Sequence, residues 1–197
     1  MDDFLEQVAR KKKQGVYSFL YYLSWVFVVA FGIIALFSVY GIIGQNEEGG
    51  IVFNWQPIII VLAFGGLAFL IWRKADYLRI EYDYTFTNGN LDVSQVLNNK
   101  RRKYLTALQM KDVIRCGPVG TQAFNKTLNE PSIKVHNWFV NRDANLYFFY
   151  FQRNSVKHVI VLELHQDMID MIRSKSSYLQ RGVWTDESTE RLYGSVS

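Results

Sequence analysis

Ile80-Glu81-Tyr82-Asp83-Tyr84-Thr85-Phe86-Thr87-Asn88-Gly89-Asn90-Leu91-Asp92-Val93 alternates, turns and alternates again. Ile80, Tyr82, Tyr84 and Phe86 fall on one side of an extended chain, and Arg79, Glu81, Asp83, Thr85 and Thr87 on the other. This period of two marks a half-buried strand. Asn88-Gly89 is the strongest short hairpin signal, because both residues tolerate the positive φ that a tight turn needs. Leu91 and Val93 resume the alternation. The phase slips near Gln95 and Val96, which predicts a bulge or a strand end.

Working outward toward the C-terminus, the polar turn Asn98-Asn99-Lys100-Arg101-Arg102-Lys103 leads to a short strand near Tyr104 to Ala107. Another strand begins near Asp112 and ends at Gly117-Pro118. Residues 119–132 are rich in Gly, Asn, Thr and Pro and read as a long loop. Three strands follow, Val135 to Asn141, Leu146 to Gln152 and Lys157 to Leu162, with Arg142-Asp143-Ala144-Asn145 and Arg153-Asn154-Ser155 as turns. Leu146 to Phe151 is strongly β-prone and apolar on both faces, so one face should meet a neighbouring element. From His165 the period becomes helical: Met168, Met171 and Ile172 share a face with Ile169 beside it, an amphipathic helix that needs a sheet to cover. Residues 177–197 show no sustained periodicity and read as a flexible tail, with Tyr178, Leu179, Val183 and Trp184 as candidate docking points.

Toward the N-terminus the character changes. Gln14 to Asn46 and Gly49 to Trp72 contain no Lys, Arg, Asp or Glu, and each exceeds the about 20 apolar residues that cross a bilayer. Pro57 sits in the first turns of the second stretch, where a proline costs least. Trp55 and Trp72 bracket it as interfacial aromatics do. The apolar run is too long for a signal peptide, so the first span is expected to be retained. Arg10, Lys11, Lys12 and Lys13 precede the first span, and Arg73 and Lys74 follow the second; the link Gln45-Asn46-Glu47-Glu48-Gly49-Gly50 has no basic residue. The positive-inside rule then places both chain ends in the cytoplasm of a two-span cell-membrane protein. Ala30, Gly32 and Ala35 on one span and Ala63, Gly65 and Gly66 on the other lack the G-x-x-x-G spacing of a dimer seam and suit packing within one hairpin. Residues 1–14 read as a basic flank, with Phe4, Leu5 and Val8 as the apolar face of a short surface helix or simply as a frayed lead-in. The organisation is therefore a flank (1–14), a transmembrane hairpin (15–74), a cytoplasmic domain (75–176) and a tail (177–197).

About seven antiparallel strands followed by one helix must close or fold on themselves, and the helix can plug an open end. The hairpin Ile80 to Val93, the basic turn Asn99-Lys100-Arg101-Arg102-Lys103 beside it and the closing helix resemble the PH-like modules of bacterial membrane proteins. More narrowly, residues 10 to 175 resemble uncharacterised bacterial proteins with two N-terminal spans and one such cytoplasmic module. The resemblance implies a membrane α-helical hairpin plus an α+β domain, a PH-like antiparallel β-barrel capped by its C-terminal helix. It implies no activity, since the family has none established.

The chain has 197 residues and a net charge of +4. So small an excess, much of it flanking the spans, does not point to nucleic acid. Cys116 is the only cysteine, which excludes an internal disulfide and a cysteine metal cluster. His136, His158 and His165 match no metal spacing and read as satisfied histidines. No nucleotide loop or nucleophile elbow is present, and no ionisable residue lies at mid-span, where a transport path would need one. The chain is thus expected to be no enzyme and to need no cofactor. Its expected role is to present the domain at the cytoplasmic face to membrane lipid, a protein partner or another copy of itself. An accessory subunit of a membrane enzyme or transporter complex is the alternative. Lys100, Arg101, Arg102 and Lys103 are the candidate contact residues, against the plainer reading of a solvated turn. Arg10, Lys11, Lys12, Lys13, Arg73 and Lys74 set topology.

Overall fold

The computed structural model describes residues 3–47 and 49–185. The chain divides into two compact units, residues 13–79 and residues 1–12 with 80–197.

In the first unit, α1 (Gln14–Tyr40) and α2 (Gln56–Ala75) run for 27 and 20 residues. At 1.5 Å per residue these are about 40 and 30 Å long, so both are long and apolar enough to cross a membrane. Tyr40 ends the first helix earlier than the apolar run does. The chain continues as β2 (Ile43–Gln45), which pairs with β3 (Ile51–Phe53). The β-branched residues of this link favour a short ribbon over further helix. Pro57 stands at the first positions of α2, as its missing N–H allows. The helices pack through Phe31 on Phe64, with ring centroids 5.5 Å apart, and through Gly65, where a Cβ would reach the Ala35 methyl at 4.0 Å. Ala35 and Ala68 are buried, whereas Gly32 and Gly66 face open space. A 3-10 turn, Asp76–Arg79, ends the unit, and the Arg79 guanidinium lies 4.2 Å from the Tyr21 ring centroid.

The second unit contains β1 (Phe4–Ala9), β4 (Ile80–Thr87), β5 (Asn90–Leu97), β6 (Arg101–Gln109), β7 (Val113–Pro118), α3 (Gln122–Leu128), β8 (Ile133–Trp138), β9 (Leu146–Arg153), β10 (Val156–Glu163) and α4 (Gln166–Arg173). Its strands form two four-stranded sheets, β1-β4-β5-β6 and β7-β9-β10-β8. The expected closed barrel is therefore not what forms. The strands between Ile80 and Leu162 are all present, but they divide into two sheets, and β8 runs parallel to β10. The connection through residues 139–145 is long enough to carry the chain from β8 to β9 on the far side of β10.

The β4–β5 hairpin follows its sequence signal. Asn88 and Gly89 have φ of 47° and 87°, and Thr87 pairs with Asn90 across them. The bulge lies between Val93 and Ser94. Tyr84, Phe86, Leu91 and Leu108 from the first sheet meet Phe149, Ile160 and Leu162 from the second. Met168, Ile169 and Ile172 of α4 complete this core, with Met171 half-buried beside it. The other face of the β-prone strand is covered too: Phe148 and Tyr150 pack with Phe124 and Ala123. Those residues belong to α3, a two-turn helix inside what reads as loop, capped by the Thr121 hydroxyl accepting from the Phe124 N–H at 3.3 Å.

Both ends of the chain depart from expectation. Residues 4–9 form β1, paired with β4, and not a surface helix. Leu5, Gln7 and Ala9 turn toward the core while Phe4, Glu6 and Val8 stay outside, so the period is two. Beyond α4, residues 178–185 pack as part of the domain. Tyr178 meets Phe86 edge to face and donates to Asp3 Oδ2 at 2.6 Å, and Leu179 is buried. Residues 183–185 run beside β7, the Cys116 N–H donating to the Val183 carbonyl and the Thr185 N–H to the Cys116 carbonyl. Gly117 permits this approach, since a Cβ there would overlap the Thr185 carbonyl oxygen. The rest of the expected tail, 186–197, lies outside the described residues.

Candidate functional site

The basic turn is built by β5 and β6. Leu97 pairs with Arg101, and Asn98 and Asn99 reverse the chain at φ of 51° and 52°, a region asparagine tolerates better than most residues. Lys100, Arg101, Arg102 and Lys103 are all exposed. Arg102 points to the other face of its strand, where it meets Asp83 at 2.7 Å and Glu6 at 3.9 Å. The four residues are thus brought together in space, but Arg102 is already held in an internal ion pair.

Register places this turn. Ala9 pairs with Tyr82, and Ile80 pairs with Leu97. The turn therefore sits at the same end of its sheet as Ala9, where the chain leaves toward the helices, and Ile80, where it returns. The segment leaving there is tied down. Arg10 meets Glu81 at 3.2 Å and Lys12 meets Asp143 at 2.6 Å. Burial holds the Lys11 ammonium below its ordinary value. The Asn141 side chain accepts from the Lys12 N–H and donates to the Arg10 carbonyl and to Glu163 Oε1. Glu163, nearly buried, also accepts from the Asn141 and Val140 N–H groups at 3.0 and 3.3 Å. Elsewhere, Arg73 and Lys74 lie in the last turn of α2, where cations suit the helix dipole, and Lys13 precedes α1.

A second feature is a cavity of about 170 Å³ lined by Leu105, Thr106, His136, Trp138, Phe151, Arg153, His158 and Ile160. It opens where β6 faces the second sheet. His136 Nε2 and His158 Nδ1 are 3.1 Å apart. The ring centroids are 5.4 Å apart with planes 18° from parallel, so the rings meet edge to edge with the two nitrogens between them. Burial lowers the pKa of both rings; Lys134 adds to this at His136, and His136, Lys134 and Arg153 add to it at His158. Arg153 donates to the Thr106 hydroxyl at 3.1 Å and to the Ala107 carbonyl, which ties the second sheet to β6. The histidines stand 22 residues apart in sequence, and no spacing rule links them; only the parallel pairing of β8 with β10 brings them together. Among the described residues, no three His, Cys, Asp or Glu side chains gather as a metal site.

The family model described as Bacterial PH-like domain (DUF6106) matches residues 1–178. The chain belongs to that family. The match includes β1, both long helices, both sheets and α4, so the family unit embraces the apolar hairpin as well as the PH-like domain. No curated protein and no solved structure matches the chain.

Proposed function

We propose that this protein is a membrane-anchored, non-enzymatic interaction module. In this reading α1 and α2 cross the cell membrane, both chain ends are cytoplasmic, and the PH-like domain is held at the inner face. There the Lys100–Lys103 turn meets anionic lipid headgroups. The observation that carries the reading is the register just described: the basic turn shares its sheet end with both connections to the helices. The apolar helix surface supports it, since Phe19, Phe37, Leu36 and Leu62 are exposed and patches of that kind are otherwise covered by lipid or protein. The charge asymmetry between the flanks and the 45–50 link supports the orientation. Each basic residue near an anionic surface contributes about 1 kcal/mol, so a tethered domain needs few of them.

The test adds one cysteine at a time to the full chain. Burial pushes the Cys116 thiol up to about 12, so the native cysteine stays silent to maleimide. Glu47→Cys is expected to label from outside intact cells and Asn99→Cys only in inverted vesicles. A dye on Asn99→Cys in nanodiscs is expected to be quenched by spin-labelled anionic lipid and released by salt. External labelling of Asn99→Cys would overturn the topology. An unquenched dye would overturn the lipid contact and leave a protein partner or a second copy as the occupant.

A further inference from the structure

The cavity between β6 and the second sheet is separate from the basic turn and has an uncommon charge balance. Its lining holds one guanidinium and two imidazoles and no carboxylate. Among the described residues, Arg153 is satisfied only by neutral oxygens, the Thr106 hydroxyl and the Ala107 carbonyl. Lys134 on β8 and Arg153 on β9 are the charged groups that act on the histidine pair. From β6 the cavity receives Leu105 and Thr106, which do not titrate, and from β10 Ile160 beside His158. Phe151, against whose ring Arg153 lies, and Trp138, beside His136, supply apolar walls.

The pairing of the imidazoles restricts what they can offer. In a neutral pair one facing nitrogen donates and the other accepts. Whichever tautomer is present, the two remaining ring nitrogens are then one N–H and one lone pair. A single added proton leaves the shared hydrogen bond intact, converts the lone pair to an N–H and makes the pair cationic. A second would set N–H against N–H across 3.1 Å.

We propose that this cavity is an oxyanion site of phosphate or sulfate type, whose occupation is coupled to uptake of one proton by the His136–His158 pair. The anion receives charge-assisted hydrogen bonds from Arg153 and from the protonated pair. Without an anion, burial first and the surrounding positive charge second disfavour protonation of the pair; a bound anion offsets both. The same chemistry is presented by a free inorganic anion and by a phosphomonoester lipid headgroup, and the cavity volume admits either terminal group.

The experiment uses the full chain in zwitterionic nanodiscs, with sulfate as probe because its charge is constant between pH 5.5 and 8. Binding is read by the imidazole NMR signals, with chloride at equal ionic strength as control. Sulfate is expected to shift the signals of His136 and His158 but not of His165, to saturate, and to raise the pH at which the pair titrates. Affinity is expected to rise as pH falls, by up to about tenfold per pH unit for one linked proton. Arg153→Gln is expected to weaken binding about tenfold, and His158→Gln to flatten its pH dependence. Should Arg153→Gln fail to fold, Arg153→Lys serves: it keeps the charge, loses the two-pronged donor, and is expected to weaken binding less. Nanodiscs containing phosphatidate then separate the sources. The same histidine shifts without added sulfate identify a headgroup, and their absence identifies a soluble anion. Shifts equal to those in chloride would overturn the proposal, as would sulfate binding indifferent to both substitutions.

Discussion

Two polar clusters in the sheet-containing unit differ in how completely they are satisfied. Around Glu163, the hydrogen bonds close on internal partners: the carboxylate takes the Val140 and Asn141 N–H groups and the Asn141 amide, and that amide also donates to the Arg10 carbonyl. Around His136 and His158, the rings share one hydrogen bond with each other, beside a guanidinium that, among the described residues, has no carboxylate partner. The first arrangement is closed and serves the fold. The second leaves donor capacity and positive charge at an opening, as a recognition site requires. The difference shows that burial of polar groups is not by itself the signal; what matters is whether their partners are used up.

The comparison breaks first at Glu163. Glu163→Ala strands two backbone N–H groups and an amide, and is expected to destabilise the protein by about 2–4 kcal/mol, read as a lowered thermal midpoint in detergent. A loss below 1 kcal/mol would mean the cluster is not closed after all. Gly117→Ala comes next: its Cβ must displace residues 183–185, at about 1–3 kcal/mol, with Trp184 emission moving to longer wavelength as the residue leaves Tyr147 and Arg173. Unchanged emission would show that the C-terminal segment shifts without detaching. The histidine pair sharpens the other side. Both rings are held below the ordinary 6.5, so the unfolded chain binds more protons. Stability is then full above 6.5 and falls as pH drops from 6.5 through the lowered folded values. His136→Gln with His158→Gln is expected to remove most of that slope. The smallest effect belongs to the basic turn: Lys100→Gln with Lys103→Gln should change stability by no more than about 0.5 kcal/mol. A larger loss would make the turn structural and count against the proposed lipid contact.

Legibility followed the range of the interactions. The β4–β5 hairpin, α4 and the two apolar helices were readable because periodicity, Asn-Gly turn chemistry and unbroken apolar length are local. β1 was not, because Phe4, Leu5 and Val8 suit a helical face, while the alternation of Leu5, Gln7 and Ala9 becomes decisive only beside β4. α3 is two turns long and lies among loop-forming residues. The split into two sheets and the parallel β8 depend on which strands meet, and no local pattern states that. The basic turn was visible as charge, but the ion pair that occupies Arg102 depends on Asp83 across the sheet. The histidine cavity was invisible for the same reason.

The pairing of Ala9 with Tyr82 also orders biosynthesis. β1 leaves the ribosome before either apolar helix, yet its hydrogen-bonding partner β4 follows both. The first sheet cannot be completed until the whole hairpin has been made, and closing so long a loop carries an entropy cost that grows only as the logarithm of its length. Until then β1 exposes an unpaired edge. Completion of the sheet thus reports that both helices have been made, and a chain stalled before β4 would show nascent-chain quality control an open strand.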